Sequence, residues 1–263
     1  MISVLSIPLD ENSSFIKGCA NGPYAIKKAF YSESSNMFSE NGYNCADDKQ
    51  VLYLDNFELK SGKYAIEKIQ NTVEKELSKK NKVISIGGDH SITYPIIEAY
   101  SNYYESLNIL HFDAHPDLYN NFDNNPYSHA SPFARIMEKS LVKRLVQIGI
   151  RTLNNHQREQ VEKFNVEVIE MKDFSSNLSL KFDGPLYISL DIDGLDPAFA
   201  PGVSHPEPGG LTTRNIINII NELEGNVVGG DIVEYNPIND INDITAYTAA
   251  KLLKEIIGKV MDS

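Results

Sequence analysis

The stretch ILHFDAHPDLY, residues 109–119, passes from a short apolar run into Asp113, His115 and Asp117 within five positions. The run is too short for a helix and lacks the polar alternation of a half-exposed strand, so it reads as a strand covered on both faces. Seven more β-rich runs share this character: ISVLSIPL, VLYL, KVISIGG, RLVQIGI, VEVIEM, PLYISL and NVVGGDIV. Between them lie helical stretches, GPYAIKKAF with Pro23 in its first turn, GKYAIEKIQNTVEKELSKK, SITYPIIEAYSNYY, SPFARIMEK, NNHQREQVEKF, TTRNIINIINELE and DITAYTAAKLLKEIIGKVM. Strand and helix alternate to the end. The order predicts an α/β fold in three layers, α/β/α, with a mostly parallel sheet of about eight strands and right-handed crossovers. Segments 33–50 and 118–129 are the expected long loops, and with no repeat or linker, residues 1–263 are expected to form a single domain.

Ligands of open α/β sheets bind beyond the carboxyl ends of the strands. Four runs end there in polar clusters: Asp89 and His90 after VISIGG, Asp113, His115 and Asp117 after NILHF, Asp191 and Asp193 in LYISLDID, and Asp231 and Glu234 in NVVGGDIVEYNP. Residues at i and i+2 of an extended chain share a face, so Asp113, His115 and Asp117 are expected to point together, as are Asp191 and Asp193. Gathering so many carboxylates without cations would raise their pKa values at a cost of several kcal/mol, so the cluster implies divalent metal. Four aspartates and two histidines exceed one ion's needs and suit two ions about 4 Å apart. Mixed oxygen and imidazole donors without cysteine favour Mn(II). A calcium loop is excluded, because DIDGLD has its glycine at position four where that motif needs it at six.

The 263 residues carry a formal charge of −12, which disfavours nucleic acid and attracts small cations. No run approaches the roughly 18 apolar residues that span a bilayer, so no membrane partner is expected. The N-terminus reads as a first strand, not a signal peptide, and two cysteines, Cys19 and Cys45, cannot make a disulfide framework. A cytoplasmic protein is the expectation.

GGDHS, DAHPD and SLDIDGLDP together resemble the three signature motifs of the ureohydrolase superfamily, the arginases and agmatinases. The resemblance covers nearly the whole chain, from KGCANGP to EYNP. DAHPDLY, YSHASPFARIME, PAFAPGVSHPEPGGL and VVGGDIVEYNP are most similar to the plant-type arginase and agmatinase branch. It implies an arginase-like fold, two Mn2+ per chain, a homotrimer or homohexamer, and hydrolysis of a small cationic guanidino substrate to urea and an amine. By the same resemblance His90, Asp113, Asp117 and Asp191 would hold one ion and Asp113, His115, Asp191 and Asp193 the other. His129 in YSHAS matches the proton-shuttle histidine and Glu234 in EYNP the guanidinium-recognition glutamate, while Asp117 is placed to pass a proton to the leaving amine.

At the positions where animal arginases read the amino acid's α-carbon, this chain has Tyr119, Asn125 and Tyr127, and Asn154 aligns with the aspartate that faces the α-amino group. Asn125, Tyr127 and Asn154 are therefore the substrate-binding candidates beside His129 and Glu234. Arginine stands first, agmatine next, then guanidinobutyrate, free guanidine or a formimino substrate. A single-zinc deacetylase-like amide hydrolase is the alternative of another class, and a metal count per chain separates the two.

The remaining polar residues have plainer readings. His111 is a core histidine beneath the site, His156 a helix-surface residue and Asp231 a supporting partner. His205 either approaches the cleft or packs a loop. Asp196 and Pro197 form a turn, Cys19 is a small buried residue, and Gly87 and Gly88 allow close backbone approach to the metal cluster.

Overall fold

The computed structural model describes all residues except 55–58, 60 and 177. The apolar runs form strands β1 (Ile2–Ile7), β2 (Val51–Leu54), β3 (Lys82–Gly87), β4 (Asn108–Phe112), β5 (Arg144–Ile150), β6 (Glu167–Glu170), β7 (Lys181–Asp191) and β8 (Glu224–Val233). They pair, all in parallel, in the order β2-β1-β3-β8-β7-β4-β5-β6. The four strands that end in polar clusters, β3, β8, β7 and β4, are thus adjacent at the middle of the sheet.

The helices are α1 (Gly22–Phe30), α2 (Lys63–Ser78), α3 (Thr93–Ser101), α4 (Pro132–Glu138), α5 (Asn155–Phe164), α6 (Thr213–Glu222) and α7 (Ile244–Asp262). Pro95 does not break α3, because it stands in the first turn, where backbone N–H groups have no helical acceptor. α6 starts on a reciprocal cap in which Thr212 and Asn215 exchange side-chain and backbone hydrogen bonds.

Helix α7 packs against both α1 and α6 on one face of the sheet, and α2, α3, α4 and α5 form a chain of contacts on the other. Each strand feeds both layers by alternation. Ile84 and Ile86 of β3, Leu110 and Phe112 of β4, and Leu186, Ile188 and Leu190 of β7 join the core under α1, α6 and α7. Val83, Ile109 and Tyr187 join the core under the other helices. No described helix is long and apolar enough to cross a membrane.

Gly87 and Gly88 are required for a different approach from the one expected. A Cβ on Gly88 would collide with the backbone of Leu9, and one on Gly87 with the side chains of Ile92 and Val233. The glycines bring the chain after β1 against the end of β3, where Asp89 N–H donates to Leu9 O at 2.7 Å.

Candidate active site

β4 stops at Phe112 and β7 at Asp191, so the metal-capable side chains do not converge by strand alternation as expected. Turns bring them together. After β4 the Asp113 Oδ1 accepts the His115 N–H at 2.6 Å, and Asp117 adopts a left-handed φ of 49°. After β7 the Asp191 Oδ1 accepts the Asp193 N–H at 2.8 Å and caps a single turn over Ile192–Gly194. Asp193 Oδ1 then accepts the Ala114 N–H at 3.1 Å, joining the two turns. A Cβ on Gly194 would press on the Asp113 backbone, which is why glycine is needed here.

Three groups of ligand atoms result, one of them, His90, His111 and Asp113, lying behind the other two with the His111 Nε2 spent on Asp113. Of those two, His90, Asp113, Asp117 and Asp191 form one, and Asp113, His115 and Asp193 the other, with the ligand atoms of each group within 4.8 Å of one another. Asp113 belongs to both, while Asp191, expected to be shared as well, falls only in the first. His90 Nδ1 faces Asp117 Oδ2 at 3.0 Å, Asp191 Oδ2 at 3.1 Å and Asp113 Oδ2 at 3.3 Å, yet its geometry makes a hydrogen bond with none of them. A buried nitrogen ringed by three carboxylate oxygens without a hydrogen bond is arranged as a fellow metal ligand, and the donor set fits Mn(II) or a similar divalent ion.

The tautomer of His90 follows from the groups behind it. Ser189 Oγ donates its one hydrogen to Asp231 Oδ1 at 2.7 Å and therefore accepts from His90 Nε2 at 3.0 Å. Nε2 therefore carries a proton, and Nδ1 is the nitrogen turned to the carboxylates, where a bound ion would take its lone pair. Asp231 also accepts from Thr93 Oγ1 and Tyr187 Oη, both at 2.9 Å. It supports the site from behind, as the sequence suggested. His111 does so too: Gln147 Nε2 donates to Pro116 O at 2.7 Å and to His111 Nδ1 at 3.0 Å, leaving Nε2–H to donate to Asp113 Oδ2 at 2.8 Å.

Electrostatics show a site built for added positive charge. Burial, with Asp113's charge, lifts Asp117 to about 7, and burial with Asp193's and Asp113's charges holds Asp191 well above the usual range. Asp113 goes the other way, because His111, His115 and His90 outweigh its burial.

Beside this cluster His129 Nδ1 donates to Glu234 Oε1 at 2.8 Å. Glu234 also accepts the His90 N–H at 2.8 Å, and its left-handed φ of 64° turns it back over the end of β8. Burial opposes a charged His129, but Glu234's charge wins and raises it to about 9. Burial likewise works to raise Glu234, and His129 outweighs it, lowering the carboxyl to about 2. His129, Glu234, Asp117, His115, Asp191 and Asp193 all line one cleft of about 180 Å³, room for a small molecule and not for a polymer.

The specificity candidates lie elsewhere. Asn125 accepts the Tyr127 N–H and donates to Asn12, Tyr127 packs against Tyr94, and Asn154 caps α5 and donates to Tyr119 Oη at 2.5 Å. None of the three lines the cleft. His205 does line it, with its ring 5.2 Å from that of His129. His156 stacks on Tyr119, Asp196 accepts from Ala198, Gly209 and Gly210, and Cys19 is buried against Glu234. Asp89 is no ligand: its carboxylate accepts from Asn12 N–H and Ser91.

Sequence reading missed Ser14, Thr152 and Gln157, which also line the cleft. Ser14 Oγ lies 2.8 Å from His129 Nε2 across 115 residues of chain, and nothing in DENSSF signals it. Arg151 was missed too. Its guanidinium donates to the carbonyls of Gly149, Asp193, Gly194, Leu195 and Glu207 at 2.6–3.3 Å, tying the β5 end to the metal turn and to the loop that carries His205.

Residues 1–258 match the model of the arginase family. The chain is similar to the mitochondrial arginase of Medicago truncatula, 44% identical over 276 aligned positions that cover 98% of this chain and 81% of that one. It is 33% identical to an agmatinase of Blochmanniella floridana, over 97% of this chain and 86% of the other. Its fold superposes on the solved arginase of M. truncatula with a TM-score of 0.93 at 42% identity, covering 98% of this chain and 87% of that one. With the ligand groups at the middle strand ends and the family match spanning nearly all the sequence, the chain belongs to the arginase family and is a hydrolase of guanidino or amidino C–N bonds.

Proposed function

We propose that the protein is a binuclear manganese ureohydrolase that releases urea from arginine, leaving ornithine, with agmatine as the nearest competing substrate. The carrying observation is the pair of ligand groups sharing Asp113 in the same cleft as the His129–Glu234 pair. His90, Asp113, Asp117 and Asp191 would hold one ion and Asp113, His115 and Asp193 the other, and such ions lower the pKa of water so that hydroxide is available at neutral pH.

The chain's own groups supply the rest. A guanidinium is a poor electrophile and must be fixed in place, and Glu234 offers it an ionised, nearly dry carboxylate for a charge-assisted contact. Asp117 is the carboxylate placed to pass a proton to the leaving amine, as a ligand that also lines the substrate cleft. His129, bonded to Glu234 on one side and Ser14 on the other, carries protons between the cleft and its mouth. Arginine comes first because the motifs and the relatives of 40–44% identity are arginases, while the agmatinase relative keeps agmatine in the comparison.

Urea release by the Mn(II)-loaded protein tests this, with arginine, agmatine and 4-guanidinobutyrate compared by kcat/KM. Arginine should lead. Failure of all three to yield urea would sink the substrate class.

A further inference from the structure

We propose that Ser14 is a positioning residue for the proton carrier His129, its hydroxyl holding the imidazole in one orientation through both protonation states of the ring. The inference rests on the ureohydrolase reading and adds to it a residue from outside the strand ends that carry the metal-capable groups.

Ser14 lies in the loop after β1, and Asn12 fastens that loop beside the cleft. The Asn12 N–H donates to Asp89 Oδ2 at 2.9 Å and its Nδ2 to Ser91 Oγ at 3.0 Å. Its Oδ1 accepts from Asn125 Nδ2 at 3.0 Å, and its backbone oxygen accepts the His129 N–H at 3.2 Å. Two residues on, Ser14 turns two groups to a single atom: its Oγ is 2.8 Å and its backbone nitrogen 3.2 Å from His129 Nε2. Both residues line the cleft, but Ser14 is exposed and His129 is buried, so the hydroxyl stands on the solvent side of the ring.

The other ring nitrogen is committed. Nδ1 donates to Glu234 Oε1 at 2.8 Å, so Nε2 is the atom at which the ring gains and loses a proton. The Ser14 backbone N–H can only donate; it suits a bare Nε2 and opposes a protonated one. The hydroxyl can do either. It donates to Nε2 when the ring is neutral and turns to accept the Nε2–H when the ring is charged, so the imidazole keeps its place as the proton comes and goes. Without the hydroxyl the charged ring would face a backbone donor alone, whereas the neutral ring would keep that donor as its partner. Loss of the hydroxyl therefore weakens the hold of His129 on its proton. The other groups that act on this ring are Glu234 after β8, Asp117 after β4, Asp89 after β3 and His205 in the loop after β7, and a change at Ser14 leaves all four in the chain.

The test has two readouts. In NMR titration of the metal-free full chain, the His129 ring, identified by the signal lost in His129→Asn, should titrate roughly 0.5–1 pH unit lower in Ser14→Ala than in wild type. On the Mn(II)-loaded full chain, Ser14→Ala should lower kcat for arginine about three- to tenfold and leave KM within about twofold. Ser14→Thr, which keeps the hydroxyl, should return both readouts to the wild-type values. Ser14→Val, which has the shape of the threonine variant without its hydroxyl, should behave as Ser14→Ala and carries the test if the alanine variant does not fold. An unchanged His129 titration in the alanine and valine variants, or equal losses of kcat in the threonine and valine variants, would overturn the assignment. Absence of urea from wild-type protein would instead overturn the reading of function, and the NMR titration would then decide the role of Ser14 by itself.

Discussion

Ser189→Ala isolates the support behind His90. Ser189 is fully buried on β7 and links His90 Nε2 at 3.0 Å to Asp231 Oδ1 at 2.7 Å. Removing one hydroxyl leaves the ligand residues untouched but deprives the His90 N–H of its acceptor inside the protein. An orphaned buried donor costs about 1–3 kcal/mol, and loss of a partner that orients a metal-bound histidine weakens metal binding about 10- to 100-fold. The two figures agree, since about 1.4 kcal/mol is a factor of ten. Of the two groups assigned to the ions, only the one with Asp117 and Asp191 contains His90. Calorimetric titration of metal-free protein with Mn(II) should therefore show one binding event weakened by that factor and the other nearly unchanged. Ser85→Ala is the control, because Ser85 is equally buried on β3 and its hydroxyl has no hydrogen-bond partner among the described residues. Both events within twofold of wild type in the Ser189 variant would refute the role assigned to this relay, and equal weakening of both would show general damage instead.

Two other perturbations reach different parts of the site. The metal-free protein should lose stability as pH rises through about 9, where His129 gives up the proton that Glu234 stabilises. The sign follows from the raised folded pKa: the contribution is complete below the unfolded histidine value of about 6.5 and gone above 9. Urea denaturation across pH checks it, and Glu234→Gln should erase that step. Arg151→Met should unfold about 10 °C earlier in a thermal scan, from roughly 3–5 kcal/mol lost when the Asp193, Gly149 and Glu207 carbonyls lose a charged donor. A shift under about 2 °C would show that water replaces the guanidinium at little cost.

The sheet was legible because both its faces are covered. Runs such as NILHF and PLYISL need apolar side chains on both sides, and that continuity marks a parallel strand without help from its neighbours. Helix ends were read to within a residue or two where a cap is written locally, as at Asn154 and Thr212. The six metal candidates were legible as types at strand ends, but their convergence was reasoned from strand parity, whereas side-chain-to-backbone bonds in the turns accomplish it.

Specificity residues were the least readable. Asn125 and Asn154 sit where a polar contact to substrate is plausible by alignment, but a short amide next to a free backbone N–H satisfies its own turn or cap first. Ser14 and Arg151 reach partners across the fold, and Gln157 lines a cleft, that no local pattern encodes.

Anomalous X-ray diffraction from crystals of the Mn(II)-loaded protein tests the central claim most directly. Two manganese peaks per chain are predicted, one within reach of His90, Asp113, Asp117 and Asp191 and the other of Asp113, His115 and Asp193, with Asp113 touching both. A single peak, or two peaks away from these side chains, would contradict it.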